Sequence, residues 1–196
     1  MTNLRNILNI KYNNIKPAPG KILVAEPFMN DYYFKRSVVV LADHSHEGSF
    51  GIIVNKPLKL KIQEIHTDII CFAAPIYLGG PVSHDRLFFT HTLGNEIEGS
   101  SKILEGLYWG GNINQLKSLI AAGVITPDQV RFYLGYAGWS ANQLDDELKR
   151  NSWLVGKGST PFILQTPPND LWKKAVESLG SNYEHWTKFP VEPNQN

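Results

Sequence analysis

Apolar residues recur along the chain in short β-branched runs first and in helical spacing later. Ile22-Leu23-Val24-Ala25 reads as a buried strand that stops at Pro27. Ser37 to Ala42 and Phe50 to Asn55 are two further runs joined by a polar loop containing Gly48, the pattern of a hairpin. Leu58, Leu60 and Ile62 alternate with Lys59 and Lys61, as in a protected edge strand, and a helix can begin near Ile62. Ile76-Tyr77-Leu78, broken by Gly79-Gly80-Pro81, and Leu87 to His91 are the next strands. Asn112 to Ala122 reads as a helix with Asn112 as its cap and Gly123 as its stop. Val130 to Tyr136 is a strand that turns through Gly138 into a helix running from about Ser140 to Arg150. Short strands are expected at Trp153 to Val155 and Pro161 to Leu164. Pro167 or Pro168 opens a last helix that buries Leu171, Trp172, Ala175, Val176 and Leu179 and ends at Gly180.

Strands first and helices later favour one α+β domain on a mixed, largely antiparallel sheet with flanking helices. The domain is expected over 17–186. An N-terminal amphipathic arm over 1–16 carries Leu4, Ile7 and Leu8 on one face, and a tail over 187–196 is rich in Pro and Asn.

At 196 residues the chain is long enough for a core without covalent staples. Lys plus Arg is 19 and Asp plus Glu is 18, a net charge of +1, which argues against a dedicated nucleic-acid binder. Cys71 is the single cysteine, so an intramolecular disulfide and a multi-cysteine metal site are excluded. No apolar run reaches the ~20 residues of a membrane span, and Arg5, Asn6 and Asn9 interrupt the pattern of a signal peptide. A cytoplasmic, monomeric protein without cofactor is the expectation.

Candidate chemistry is sparse. Asp43-His44-Ser45-His46-Glu47 is the densest set of ligating side chains, and His44 and His46 could hold a metal if a third ligand arrived. The competing reading is a solvated hairpin loop. Gly79-Gly80 and Gly110-Gly111 match neither a Walker loop nor a dinucleotide fingerprint. Gly135 to Ser140 has the outline of a nucleophile elbow, but Asn142 replaces the second glycine and Ser140 reads as a helix cap. Asp145, Asp146 and Glu147 form a solvated acidic helix face beside Gln143, with Asp146 placed to pair with Arg150. Trp109, Tyr133, Tyr136, Trp139, Trp153 and Trp172 read as core and turn-locking aromatics.

Several motifs occur in one order: Phe34-Lys35-Arg36-Ser37-Val38-Val39, Gly51-Ile52-Ile53-Val54-Asn55-Lys56-Pro57 and Leu78-Gly79-Gly80-Pro81-Val82. Leu134-Gly135-Tyr136-Ala137-Gly138-Trp139, Gln143-Leu144, Glu147-Leu148 and Trp153-Leu154 follow. As an ordered set they resemble the AlgH/YqgE family of bacterial proteins over roughly 18–182. The resemblance implies a YqgE-like α+β domain and a transcriptional-regulator label without assigned catalytic residues. Asn142 stands where the family usually has Gly, and Asn is the residue that next best tolerates positive φ. The stretch between Ile65 and Tyr77 is shorter than is usual there.

The leading functional expectation is an indirect regulator that works through contacts with another protein. The alternative is a small-molecule or metal-binding protein, an enzyme included. Its ligand site would gather Asn55, Gly79, Gly80, Gly138, Trp139 and Gln143, with His44 and His46 as metal candidates.

Overall fold

The computed structural model describes residues 13–69 and 72–190. The face formed by Leu4, Ile7 and Leu8, the thiol of Cys71 and the tail beyond Pro190 lie outside the described residues. The chain proceeds through β1 (Lys21–Ala25), β2 (Val38–Ser45), β3 (Gly48–Ile53), β4 (Pro57–Lys61), α1 (Ile62–Ile65), β5 (Pro75–Leu78) and β6 (Val82–His91). It continues through β7 (Ser101–Leu104), β8 (Leu107–Trp109), α2 (Ile113–Ala121), β9 (Val130–Ser140), α3 (Gln143–Lys149), β10 (Trp153–Lys157), α4 (Thr160–Gln165) and α5 (Pro168–Ser178). The sheet order is β10-β1-β2-β3-β9-β6-β8-β7, with β5 beside β9 and β4 beside β5. Among the described residues only β5 and β9 pair in parallel, so the fold is the α+β domain with a mixed, largely antiparallel sheet that the sequence implies.

The long strand β9 organises this sheet. Its first half pairs with β5 on one side and β6 on the other, and its second half pairs with β3. The handover falls at Gly135, which has φ +71. A Cβ on Gly79 would lie 2.1 Å from the Gly135 carbonyl oxygen, and one on Gly80 would lie 2.2 Å from the Tyr136 carbonyl. Only glycine permits so close a backbone crossing. Gly79 also donates to the Leu134 carbonyl and accepts from the Ile53 amide, each at 2.8 Å. The Gly79-Gly80 break therefore lets backbone meet backbone rather than ligand.

Three apolar clusters hold the layers together. One lies between the inner face of β1, β2 and β3 and the helices α4 and α5, with Ile22, Val40, Trp172 and Trp186 fully or nearly buried. A second lies beneath α2, where Leu116 and Ile120 meet Phe89 and Phe132. The third sits beneath α3, where Leu144 and Leu148 meet Leu23, Trp139 and Trp153. The 3-10 turn Glu184–Lys188 keeps the chain packed past the last α-helix, and Phe189 closes to 4.7 Å from the Phe28 ring.

Several sequence expectations are corrected. Pro161 to Leu164 is not a strand but the body of α4, because Ser159 caps it by accepting from the Phe162 amide at 3.3 Å and Pro161 fits the first turn. Gly138 is not a turn: β9 runs on to Ser140, and the turn falls at Ala141-Asn142. Asn142, not Ser140, stands before α3, with φ 62 in the left-handed region that the Gly-to-Asn replacement anticipates. The β2–β3 hairpin is tighter than expected, so Asp43, His44 and Ser45 belong to β2. The sequence pattern gives no sign of β7 and β8. These strands are four and three residues long and are joined by a turn at Glu105-Gly106, which leaves too few apolar positions in each to show an alternation.

Candidate functional site

The ends of β3, β6, β8 and β9 border an open cleft of about 590 Å³. Cross-strand pairing places Asp43 opposite Phe50 and Phe50 opposite Gly138. Because Gly138 has no side chain, the row ends in a floor and not in another wall. Phe50, Trp109, Phe88 and Tyr136 then form a closed ring of neighbours. Centroids are 4.9 Å apart for Phe50–Trp109, 5.4 Å for Trp109–Phe88, 5.5 Å for Phe88–Tyr136 and 5.0 Å for Tyr136–Phe50. All four rings are half-buried, each packed against its neighbours while still bordering the cleft.

The polar rim has one sign. Asp43 and Glu47 are exposed and line the cleft, and no Lys, Arg or His lines it among the described residues. Asp43 holds its geometry by accepting from the His44 amide at 2.8 Å. Aromatic faces carry partial negative charge, so this wall and these carboxylates act in the same direction and favour a cation.

Trp139 borders the same cleft, and α3 fixes it from behind. Glu147 Oε2 accepts from the indole nitrogens of Trp139 at 2.9 Å and Trp153 at 2.8 Å. Its Oε1 accepts from Gln143 Nε2 at 3.0 Å, and Gln143 Oε1 accepts from Ser140 N and Oγ. Glu147 is thus a clip between β9, α3 and β10, which corrects the expectation of a purely solvated acidic face. Asp146 pairs with Lys149 at 2.9 Å, while Arg150 donates to the Asp146 backbone carbonyl. Ser140 is engaged by Gln143, so the elbow-like segment presents no free nucleophile.

The structure brings Gly138 and Trp139 together in the cleft and seats Gln143 behind them. It does not bring Asn55, Gly79 and Gly80 there. The Asn55 side chain latches backbone, accepting from Val38 N at 2.8 Å and donating to Arg36 O at 3.0 Å. His44 Nδ1 lies 2.8 Å from Ser49 Oγ, and His46 is exposed in the hairpin turn. No group of three His, Cys, Asp or Glu side chains converges among the described residues. The Ser49–His44 contact has nucleophile–base distance, yet no carboxylate orients the His44 ring among the described residues, so the pair lacks the third member of a hydrolytic triad.

Phe50, Phe88, Trp109 and Tyr136 escape a sequence reading as site residues. Each is a strand aromatic, and strand aromatics are ordinarily core. The signal that could have separated them is Gly138, the bare position opposite Phe50, where a Cβ would meet the Tyr136 ring at 3.4 Å.

Fold and cleft together define a single-domain α+β protein with an aromatic, acid-rimmed cleft at the shared end of its strands. The chain belongs to the AlgH-like family, whose model matches residues 22–184. It is similar to a UPF0301 protein of Parabacteroides distasonis, with 45% identity over 98% of both chains, and to one of Bacteroides thetaiotaomicron, with 43% identity over 97% of both. Among solved structures it resembles the solution structure of the AlgH protein from Pseudomonas aeruginosa, with a TM-score of 0.70 and 30% identity. That match covers 90% of this chain and 98% of the other. A crystal structure from Corynebacterium diphtheriae shares the fold at a TM-score of 0.73 and 20% identity, covering 89% of this chain and 94% of that one. Among the described residues no helix is long and apolar enough to cross a membrane.

Proposed function

We propose that this protein is a recognition module whose cleft receives a basic side chain of a partner protein. The observation that carries the reading is the joint placement of the Phe50–Trp109–Phe88–Tyr136 wall and the Asp43 and Glu47 carboxylates around one floor at Gly138. A lysine or arginine of the partner lays its stem on the rings and its charge beside the acids. The effect on transcription that goes with the family label is then indirect, exerted by a cytoplasmic monomer through protein contact. Gly138 belongs to this site as its floor, and Trp139 and Gln143 as its support. Asn55, Gly79 and Gly80 belong to the scaffold.

A matched pair of probes tests the reading. Nα-acetyl-lysine amide and Nα-acetyl-norleucine amide share their backbone and stem and differ in the ammonium group. In amide NMR titrations the lysine probe should shift Phe50, Trp109, Tyr136 and Gly138 and bind about 3- to 30-fold more tightly than the norleucine probe, the range of a partly desolvated cation over aromatic rings. Equal binding of the two, or shifts elsewhere, defeats the proposal.

A further inference from the structure

A second cavity, of about 500 Å³, lies on the other flank of Phe88. Its wall is apolar, formed by Leu87, Phe88, Phe89 and Ile113, and its basic lining residues are Arg86, His66 and Lys117. No acidic residue lines it among the described residues. Asp68 stands behind the rim, where it engages both Lys117 and His66, at 2.5 and 3.3 Å, and fixes them in place. The Asp68 carboxylate thereby offsets the Lys117 ammonium. Arg86 is exposed and has no partner among the described residues, so it supplies the unneutralised charge of this rim.

The cavity exists because the sheet opens here. Among the described residues β8 pairs with β6 only at Thr90 and His91, and no strand flanks the preceding residues of β6 on the side away from β9. The Gly110-Gly111 bend carries the chain away to α2. Apolar side chains that a continuing strand would cover are left beside a cationic rim.

The geometry points to a second binding site, for a small carboxylic acid with an apolar body, such as a medium-chain or arylalkyl carboxylate. The carboxylate sits at Arg86, and the body lies on Leu87, Phe89 and Ile113. Charge complementarity selects this occupant. The first cleft, with acids and no bases, selects against it, so two adjacent pockets sharing Phe88 have opposite preferences. This inference does not rest on the recognition of a basic side chain in the first cleft.

Two probes with one tail separate the sites. Sodium decanoate and decyltrimethylammonium bromide, each below its micelle concentration, are titrated into the full chain and followed by amide NMR. Decanoate should shift Leu87, Phe89, Gly110, Gly111 and Ile113. Its affinity should fall roughly tenfold in Arg86→Gln, the scale of a lost charge-assisted hydrogen bond. The exposed, unpaired Arg86 leaves the melting temperature of that variant unchanged. The double variant Asp43→Asn/Glu47→Gln, which disables the first cleft, should bind decanoate as the wild type does. Equal binding of both head groups at this cavity overturns the proposal, and so does wild-type decanoate affinity in Arg86→Gln. A concentration-dependent dimer that shields these amides and resists decanoate overturns it in favour of a second copy of the chain.

Discussion

Trp109 lies stacked on Phe88, with 5.4 Å between centroids and 19° between planes, although their strands pair only at the far end of β6. The stack bridges the gap where β8 leaves β6, and its two flanks border the two cavities. Phe50 and Tyr136 meet the same pair at steep angles, so each of the four rings is held by two others. Phe88→Ala should therefore disturb both cavities at once. Replacing Asp43 or Arg86 should affect only the cavity that each of them lines.

Glu147 is a structural carboxylate. Glu147→Ala leaves the indole N–H groups of Trp139 and Trp153 without their acceptor in an environment where both rings are nearly buried. A loss of about 2–4 kcal/mol in urea unfolding is expected, as for a charge-assisted acceptor serving two buried donors. A change below about 0.5 kcal/mol, within the range of an ordinary surface substitution, would mean that the clip contributes nothing.

The glycines divide by role. Gly79→Ala puts a Cβ 2.1 Å from the Gly135 carbonyl oxygen, and that contact is backbone to backbone and cannot yield without opening the β5–β9 pairing. Its melting temperature should collapse, or the chain should fail to fold. A Cβ at Gly138 meets Tyr136 and Val82 at 3.4 and 3.5 Å, which is ordinary contact. Gly138→Ala should fold like the wild type and bind the lysine probe more weakly, because it raises the floor of the cleft.

Arg131 is buried, and among the described residues it has no carboxylate partner. It donates to the carbonyls of Val54, Ile163 and Leu164 at 3.0–3.1 Å, and its guanidinium lies 4.5 Å from the centre of the Tyr77 ring. The fork thereby joins β9 to the end of β3 and to the last turn of α4. A lysine ammonium is a point charge and cannot span these acceptors. Arg131→Lys should destabilise by about 2–3 kcal/mol, roughly two hydrogen bonds to a charged donor, read by denaturant unfolding.

His91 sets an acid limit on stability. It is fully buried; Nδ1 accepts from the Leu93 amide at 3.2 Å, and Nε2 faces Ser100 Oγ and the Gly110 carbonyl. Burial holds its pKa below the ordinary histidine value. The unfolded chain therefore binds a proton that the folded chain refuses, beginning near the unperturbed pKa of about 6.5. The stability that His91 contributes is complete above that pH and declines as the pH falls toward the folded value. His91→Gln should lower stability at about pH 7.5 and flatten its decline as the pH falls from roughly 6.5 to 5. An unchanged slope would show that other groups govern the acid limit.

Much of this architecture is legible in the chain, for physical reasons that differ between elements. The Val38–Val40 and Ile52–Val54 runs are β-branched and buried, and α2 carries its own cap at Asn112 and stop at Gly123. Local chemistry and global fold agree at those places. At Thr160 to Leu164 they conflict in appearance: an apolar run suggests a strand, while the Ser159 cap and Pro161 start a helix, and the cap prevails. The site is half legible. Gly138, Trp139 and Gln143 lie in one contiguous motif, but the aromatic wall is assembled from four strands far apart in sequence. Its glycine neighbour, Gly138, signals a turn as readily as it signals an uncovered ring. Asn55, Gly79 and Gly80 stand out because they do demanding structural work, which a single sequence does not distinguish from binding.

The indole Nε1–H resonance of Trp109 reports most directly on cation recognition in the first cleft. Nα-acetyl-lysine amide is titrated into the wild type and into Asp43→Asn/Glu47→Gln at matched low salt. The resonance should move saturably in the wild type, and the affinity should drop at least several-fold in the double variant, whose exposed positions leave the fold intact. Identical titration curves for the two proteins would contradict the assignment of this cleft to a cationic group.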